Sequence, residues 1–462
     1  MELIESIKNI VGPKGLLTGD DVSARPNLSW GQGSCPAKAI VRPASTEELS
    51  KVMRLCHERG QTVVPGGGLT GLVNGTTAAP EDIVVSLERM NEIEHFDAEA
   101  GSMTVQAGAI LQNVQETARE AGWMFAVDFG ARGSAHIGGL ISTNAGGNSV
   151  VRYGMAREQV LGLEVVLADG TVITSMNEML KNNAGYDIKH LFIGSEGTLG
   201  IVTRAVLRLR PAPRTVQTAL VALDSFADVA GLLRRLGVEL EGKLSAFEVM
   251  WQNLYQLMVT ETGKHQAFLP PDHPYYVLVE SEGADEAREA EQFMAVLGSL
   301  MEEGHVADAV IAQSGQQAGQ LWEMRDDIEN IVVTLNPVVP FDVSLPIREM
   351  ERYVTSIEKT LEEQLPGSRL VVFGHLGDSN IHLVVGKTEN KEAVENIVYG
   401  GLKDISGSIS AEHGIGLEKR AFLHCSRSDD EIALMRTVKA ALDPKNLLNP
   451  GKVLEPVRDR SP

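Results

Sequence analysis

The spacing of apolar and polar residues predicts alternating helices and strands in the first part of the chain. Apolar residues recur at helical spacing after the capping box that begins at Ser45, and Gly60 is placed to end that helix. Helical spacing also recurs around residues 110–118. Apolar runs at 61–65 and 82–87 predict short buried strands. We therefore expect a mixed architecture here rather than a helical bundle or an all-β domain.

The pattern changes near a Pro-x-Pro segment in 210–214, and we place a domain boundary there. Beyond it, short strands alternate with longer helices. Strands are predicted at 218–223, 275–279, 341–345, 370–373 and 381–385, and helices at 224–236, 284–301, 317–334 and 347–363. This order indicates a sheet covered by helices, followed by a last helix at 429–442.

Composition narrows the class of protein. With 462 residues, 43% of them hydrophobic, the chain can build two or three globular domains. A net charge of −21 argues against nucleic acid as a partner, because phosphates would be repelled. Cys35, Cys56 and Cys425 are too few and too scattered for an iron–sulfur cluster. No membrane-spanning run or leader peptide is recognised, so a cytoplasmic location is expected.

Glycine is concentrated in the first half, where 22 of the 46 glycines fall between Gly60 and Gly200. The loop at 66–71 matches the GxGxxG spacing of a Rossmann dinucleotide site. That site needs a helix to begin within the loop, and the residues at 72–77 do not form an amphipathic pattern. We therefore exclude a Rossmann domain, which leaves an anion-binding nest or a surface turn.

Two further clusters decide between these alternatives: 128–148 (DFGARGSAHIGGLISTNAGGN) and 194–203 (GSEGTLGIVT). Together with the segments 153–164 and 183–187, they make the sequence similar to the FAD-linked oxidase family of the vanillyl-alcohol-oxidase type. The similarity is strongest to its D-2-hydroxyacid branch, which includes D-2-hydroxyglutarate and D-lactate dehydrogenases. It extends from about Arg42 to Val453.

The resemblance implies an α+β fold in three parts. A two-part FAD-binding domain of the vanillyl-alcohol-oxidase type is expected at 1–212. An α+β substrate and metal domain with a central antiparallel sheet is expected at 213–420, followed by a C-terminal helical segment at 421–462 that packs back toward the flavin.

The resemblance also implies which residues hold FAD. The matching positions are Pro65, Gly66, Gly67, Gly68, Leu69, Thr70, Gly71, Gly133, Ser134, Gly138, Gly139, Thr143, Asn144, Gly147, Gly197, Gly200, Ile201, Val202 and Asn449. For the turn at Asn449, an ordinary structural role is almost as well supported. Covalent members attach FAD through a histidine in or near the first loop. Since 68–70 contain none, non-covalent FAD is expected.

A candidate metal site lies in the second half. His375 and His382 flank a turn, and a reversal at 378–379 would pair them directly on one face of two strands. Glu412 offers a third ligand, while Asp378 is an alternative carboxylate that would orient an imidazole. In the family, the positions of His375, His382 and Glu412 hold a divalent metal of the zinc type.

The resemblance assigns two further roles: His413 as catalytic base and Arg325 as the group that grips the substrate carboxylate. The alternative for Arg325 is an ordinary arginine on a helix surface. The implied reaction is oxidation of a D-2-hydroxy acid, with hydride transfer to flavin N5. Electron-transfer flavoprotein or a quinone would accept the electrons. The resemblance leaves a homodimer open as the oligomeric state. The rivals are an oxidase that uses oxygen and the FAD subunit of a glycolate-oxidising respiratory complex.

The sequence departs from the D-2-hydroxyglutarate branch at three pocket positions. Glu329, Pro340 and Val384 stand where that branch has threonine, lysine and asparagine. One cation is lost and one anion is gained, which disfavours a second substrate carboxylate. We therefore expect a monocarboxylic hydroxy acid, or one with a polar or cationic tail, rather than 2-hydroxyglutarate.

Overall fold

The computed structural model describes residues 2–27 and 33–455 and divides into two compact units. The first contains Met1–Gly147, Gly154–Ala212 and Glu412–Pro462, described as far as residue 455; the second contains Asn148–Tyr153 and Pro213–Ala411. Helices and mainly antiparallel sheets make up both units, so the predicted α+β class is confirmed. Among the described helices, none has the length and apolar character needed to cross a membrane.

The first unit contains three sheets. Its helices are α1 (Glu2–Val11), α2 (Asp20–Ser23), α3 (Thr46–Arg59), α4 (Leu111–Glu120), α5 (Ile137–Ser142), α7 (Ala156–Gln159), α8 (Lys189–Phe192) and α16 (Asp429–Leu442). Its strands are β1 (Leu16–Leu17), β2 (Ala39–Val41), β3 (Val63–Gly66), β4 (Ile83–Ser86), β5 (Ile93–Asp97), β6 (Ser102–Gln106), β7 (Trp123–Met124), β8 (Val160–Val166), β9 (Val172–Ser175), β10 (Ile201–Arg208) and β11 (Arg210–Pro211). The sheet orders are β1-β2-β4-β3, β5-β6-β10-β8-β9 and β11-β7.

The local signals at α3 act as predicted. The Ser45 side chain accepts the Glu48 N–H at 3.1 Å, and Gly60 ends the helix in the left-handed conformation at φ 64°. The Glu48 carboxylate accepts the Ala44 N–H rather than closing the predicted box on Ser45. After β3 the chain runs through turns and bends from 67 to 82 with no helix, so the exclusion of a Rossmann site is confirmed.

The second unit is built around one antiparallel sheet of seven described strands. From one edge to the other, these are the fourth, first, third, second, sixth, seventh and fifth strands of the unit along the chain. Its strands are β12 (Thr215–Leu223), β13 (Leu244–Trp251), β14 (Tyr275–Gly283), β15 (Asp308–Ile311), β16 (Val338–Ser344), β17 (Arg369–His375) and β18 (Asn380–Gly386). Its helices are α6 (Val150–Tyr153), α9 (Phe226–Glu239), α10 (Gln252–Gln256), α11 (Glu286–Glu302), α12 (Gly315–Asp326), α13 (Ile328–Leu335), α14 (Ile347–Gln364) and α15 (Lys391–Gly400). Apolar residues of α10, α12 and α13 pack on one face of this sheet.

The single helix predicted at 317–334 is wrong, because the segment forms α12 and α13 with a break at Asp327. The Asp327 side chain accepts the Asn330 N–H at 3.2 Å and so caps α13. His265 and Lys264 hold the same carboxylate at 2.8 and 2.7 Å. An aspartate that satisfies backbone N–H groups in this way favours a new helix start over continuation of the old one.

Candidate active site

A cleft in the first unit is lined by all three glycine-rich segments. The predicted FAD-binding residues on its wall are Pro65, Gly66, Gly67, Gly71, Gly138, Gly139, Thr143, Gly197, Gly200, Ile201 and Val202. The sequence analysis did not single out several other lining residues, namely Val73, Gly75, Thr76, Leu87, Ala107, His136, Ser142 and Glu196. His413, the predicted base, also lines this cleft.

The glycine loops pack so closely that side chains would not fit between them. A Cβ on Gly68 would lie 1.9 Å from the Ser134 carbonyl oxygen. Gly197 has φ +68°, and its Cβ would lie 2.6 Å from Pro65 Cγ. Glycine is therefore required where these loops pack together, and such loops can present peptide N–H groups to a ligand.

The remaining predicted FAD residues belong to the framework of the same loops. Asn144 adopts φ 51° and accepts the Arg157 N–H at 2.9 Å. Gly147 lies against the backbone of residue 128, and Asn449 donates to the Gly75 carbonyl oxygen at 3.1 Å. Leu69 and Thr70 continue the first loop, and Gly133 lies beside Gln112. Direct contact of these residues with FAD remains a prediction.

The polar groups of the cleft fit a large polar cofactor. His136 Nδ1 is buried and has no hydrogen-bond partner among the described residues. Burial lowers the pKa of this imidazole, which favours its neutral form, able both to donate and to accept. A buried polar atom without a partner is costly unless a ligand or water satisfies it. His136 is therefore a polar residue of the cleft wall with one hydrogen-bonding atom left unsatisfied among the described residues.

Glu196 links the third glycine loop to the loop that carries His413. Its carboxylate accepts the N–H groups of Ile415 at 2.7 Å and Gly416 at 2.8 Å. The Asn449 side chain donates to the Glu196 carbonyl oxygen at 2.9 Å. The only sequence signal for Glu196 was its position as a carboxylate between the glycines of the third cluster.

In the second unit, β17 and β18 bring His375 and His382 together, but not as a direct pair. His382 pairs with Phe373, and the connection contains a short 3₁₀ helix at Leu376–Asp378 with Ser379 in the left-handed conformation. The symmetric reversal predicted at 378–379 is therefore wrong. The two imidazoles are diagonal neighbours with ring centroids 5.2 Å apart, because residues two positions apart on a strand share a face.

Glu248 on β13 is the buried centre of this group. Its Oε1 lies 2.6 Å from His375 Nδ1, while its Oε2 accepts Arg325 Nε at 2.9 Å and lies 2.7 Å from Nη2. Burial by itself would raise the pKa of this carboxyl, but the charges and hydrogen bonds of His375 and Arg325 outweigh burial and lower the pKa to about 2. Glu248 is therefore ionised at neutral pH.

This contact orients His375. A carboxylate at Nδ1 fixes the orientation of the ring, an arrangement common in metal sites, and Nε2 lies 3.5 Å from Arg325 Nη2. Glu248 was not predicted from the sequence. The available signal was a single carboxylate within an apolar strand, but its partner lies 127 residues away.

The contact between Arg325 and Glu248 bears on the role predicted for Arg325. The side chain is buried, and two of its guanidinium nitrogens face Glu248 while Nη1 lies 3.1 Å from Asp326. The simple alternative of a solvent-facing helix arginine is therefore wrong. A substrate carboxylate would share this guanidinium with Glu248 rather than neutralise it alone.

The third candidate ligand, Glu412, lies one residue beyond a contact between its chain segment and strand β16, which pairs with the strand of His382. Asp342 pairs with His382, and its Oδ2 accepts the Ala411 N–H at 3.1 Å. Glu412 is the next residue in the chain, so its backbone is fixed one residue beyond this contact. That His375, His382 and Glu412 bind one metal ion remains a prediction.

The fold and these sites place the chain among FAD enzymes of the vanillyl-alcohol-oxidase type. Residues 37–175 match the family described as "FAD binding domain", and residues 212–453 match "FAD linked oxidases, C-terminal domain". The chain belongs to the FAD-linked oxidase family and is an FAD-dependent oxidoreductase.

Among its relatives, the D-2-hydroxyglutarate dehydrogenase of Xanthomonas citri pv. viticola is 43% identical, over 90% of this chain and 89% of that protein. The mitochondrial D-2-hydroxyglutarate dehydrogenase of Bos taurus is 38% identical, over 96% and 82%. A Schizosaccharomyces pombe relative with the provisional name D-lactate dehydrogenase, mitochondrial, is 35% identical, over 97% and 89%. The fold also resembles p-cresol methylhydroxylase, with a TM-score of 0.76 at 16% identity, covering 99% of this chain and 97% of that one.

Proposed function

We propose that this protein is an FAD- and divalent-metal-dependent dehydrogenase that oxidises a D-2-hydroxy acid to the 2-oxo acid. The observation that carries the proposal is the pair of imidazoles with one ring oriented by Glu248. An oriented histidine pair in a flavoenzyme supports metal-assisted oxidation of an alcohol. The names of the bacterial and bovine relatives support the same class of substrate.

In this proposal the second unit binds the substrate and the first binds FAD without a covalent bond. His375, His382 and Glu412 hold the metal, and two nitrogen ligands with one carboxylate favour zinc. When bound, the metal would lower the pKa of the substrate hydroxyl by acting as a Lewis acid. When bound, FAD would accept the substrate hydride at N5.

Two side chains of this protein act directly on the substrate in this scheme. His413 removes the hydroxyl proton, a task for which histidine is the side chain most often used. Arg325 holds the α-carboxylate through a guanidinium that Glu248 fixes in place. Because the carboxylates of Glu248 and Asp326 already offset the charge of this guanidinium, the site has little net positive charge to attract a second substrate carboxylate.

We therefore propose a substrate with a single carboxylate and an apolar, polar or cationic tail. Val384 is buried in the apolar cluster that includes Phe373, and it lies two residues from His382 on the same face of β18. Glu329 is exposed in the first turn of α13. An apolar group and an anion favour such a tail over the second carboxylate of 2-hydroxyglutarate.

The proposed electron acceptor is electron-transfer flavoprotein or a quinone, and the proposed location is the cytoplasm. The name of the bacterial relative mentions no organelle, whereas the bovine name includes the mitochondrion. An oxidase would instead release hydrogen peroxide steadily under air with substrate present. Reduction of a dye acceptor by the purified chain alone would exclude a subunit that is inactive without its complex.

The test is anaerobic bleaching of the FAD absorbance by a panel of D- and L-2-hydroxy acids. The panel should include D-lactate, D-2-hydroxyglutarate and D-2-hydroxy acids with longer apolar or cationic tails. We expect bleaching only by D enantiomers, with a monocarboxylic acid fastest. Fastest bleaching by D-2-hydroxyglutarate would contradict the substrate class, and no bleaching by any D acid would contradict the function. Acid precipitation should release the flavin into the supernatant.

A further inference from the structure

We propose that Glu196 is a positioning residue that holds the His413 loop (413–416) in place at the FAD cleft. The inference rests on the proposed function, because it concerns the base of that reaction. Glu196 reaches His413 through the backbone of the loop, so its effect on catalysis would be indirect.

The contact uses both oxygens of the carboxylate. Oε1 accepts the Ile415 N–H at 2.7 Å and Oε2 accepts the Gly416 N–H at 2.8 Å. A Cβ at Gly414 would lie 2.8 Å from Oε1, so a glycine is needed beside the carboxylate. Two charge-assisted hydrogen bonds to consecutive residues fix both the distance and the orientation of the loop.

The other side of Glu196 is fixed just as firmly. Its N–H donates to the Ser142 carbonyl oxygen at 2.8 Å, and its carbonyl oxygen accepts the Asn449 side chain at 2.9 Å. Its φ of 53° lies in the left-handed region, which a non-glycine residue adopts only when surrounding contacts hold it there. The carboxylate is therefore mounted on backbone that also lines the FAD cleft.

This arrangement suits the placement of a base better than simple fold stabilisation. Burying a carboxylate is unfavourable, and burial raises the pKa of Glu196 despite the two N–H donors and nearby Lys419. A base displaced by about 1 Å can lose on the order of 100-fold in rate. The buried Glu196 carboxylate binds the loop from two residues beyond His413 and so keeps the proposed base from being displaced.

The test compares Glu196→Gln and Glu196→Ala with wild type by hydrogen exchange and by turnover. Glutamine keeps one acceptor but places an amide N–H₂ against the second backbone donor, whereas alanine removes both acceptors. We expect faster deuterium uptake at the 413–416 amides, greater in Glu196→Ala than in Glu196→Gln. We also expect kcat to fall about 10- to 100-fold, with KM and FAD content within about threefold of wild type.

Glu164→Gln is the matched control. Glu164 is also a buried carboxylate of the first unit, but it accepts Thr46 Oγ1 at 2.6 Å and Thr203 Oγ1 at 3.0 Å and is not among the residues lining the cleft. It should lower stability without changing kcat or exchange at 413–416. An equal fall of kcat in this control would overturn the proposal, and so would unchanged exchange or unchanged kcat in Glu196→Gln.

Failure of the proposed function would look different. A wild-type protein that oxidises no 2-hydroxy acid would contradict the function, whereas the exchange comparison, made on apo and FAD-loaded protein, measures the Glu196 contact by itself. If Glu196→Ala does not fold, Glu196→Gln carries the test alone. Unchanged 413–416 exchange in an active Glu196→Gln enzyme would overturn only the positioning role.

Discussion

The two candidate sites differ in the chemical groups that form them. The cleft of the first unit is lined by many glycines, and at some glycines of its loops a side chain would clash with the neighbouring loop. The site of the second unit consists of buried side chains on two neighbouring strands and on helix α12, centred on Glu248. A backbone site tolerates most side-chain changes that leave its glycines alone, whereas a buried charge cluster fails when any one member is removed.

Replacing His413 should have the largest effect, because it is the proposed base and lines the cleft. His413→Ala should lower kcat by about 10² to 10⁴-fold, the usual contribution of a general base. FAD content by absorbance and metal content by elemental analysis should match wild type. Turnover within tenfold of wild type would remove His413 from the role of base.

Breaking the charge cluster should come next. Glu248→Gln removes the buried anion of Arg325 and leaves only the more exposed Asp326, so the free energy of unfolding should fall by about 3 to 5 kcal/mol. Metal affinity should fall about 10- to 100-fold, because His375 loses the group that orients it. Denaturant unfolding and metal titration measure the two effects.

The control for this change is Glu261→Gln, which removes an equally well-aligned partner from Arg369 at the surface. Exposed pairs of this kind contribute about 0 to 1 kcal/mol, so stability and metal affinity should hardly change. Equal losses in the two variants would show that burial of the Glu248 cluster has no special role.

The backbone site is tested by adding a single methyl group. A Cβ on Gly139 meets no protein atom within 4 Å, and Gly139 lines the cleft, so Gly139→Ala should reduce FAD affinity about tenfold or more while leaving stability unchanged or slightly higher. Gly237→Ala, in α9 with equally open space, should leave FAD affinity unchanged. Wild-type FAD affinity in Gly139→Ala would exclude this stretch of α5 from the FAD site.

The smallest effect concerns pH. Burial outweighs the N–H donors of Ile415 and Gly416 and the charge of Lys419, and it raises the pKa of Glu196 above its ordinary value of about 4.3. The folded state therefore binds this proton more tightly than the unfolded state. The stability of wild type relative to Glu196→Gln should be greatest below pH about 4.3 and should decrease as pH rises through the folded-state pKa. A difference that increases with pH would contradict this.

The contrast also explains what the sequence could reveal. The FAD cleft depends on glycines within short segments, and the helix predicted at 429–442 forms as α16 because its start and end signals are local. The diagonal placement of His375 and His382 depends on how the short turn after β17 shifts the pairing of two adjacent strands. The contact of Glu248 with His375 depends on the register between β13 and β17, which joins residues 127 positions apart. No local pattern specifies that register. The break at Asp327 escaped prediction because its stabilising partners His265 and Lys264 lie more than about 60 positions away in sequence.

The central claim is that a metal held by His375, His382 and Glu412 enables a D-2-hydroxy acid to reduce the flavin. The most direct test is stopped-flow anaerobic bleaching by the best D acid, in protein depleted of metal with EDTA and then restored with zinc. We predict that depleted protein keeps its FAD but does not bleach, and that zinc restores the rate. Bleaching at the same rate in verified metal-free protein would contradict the claim.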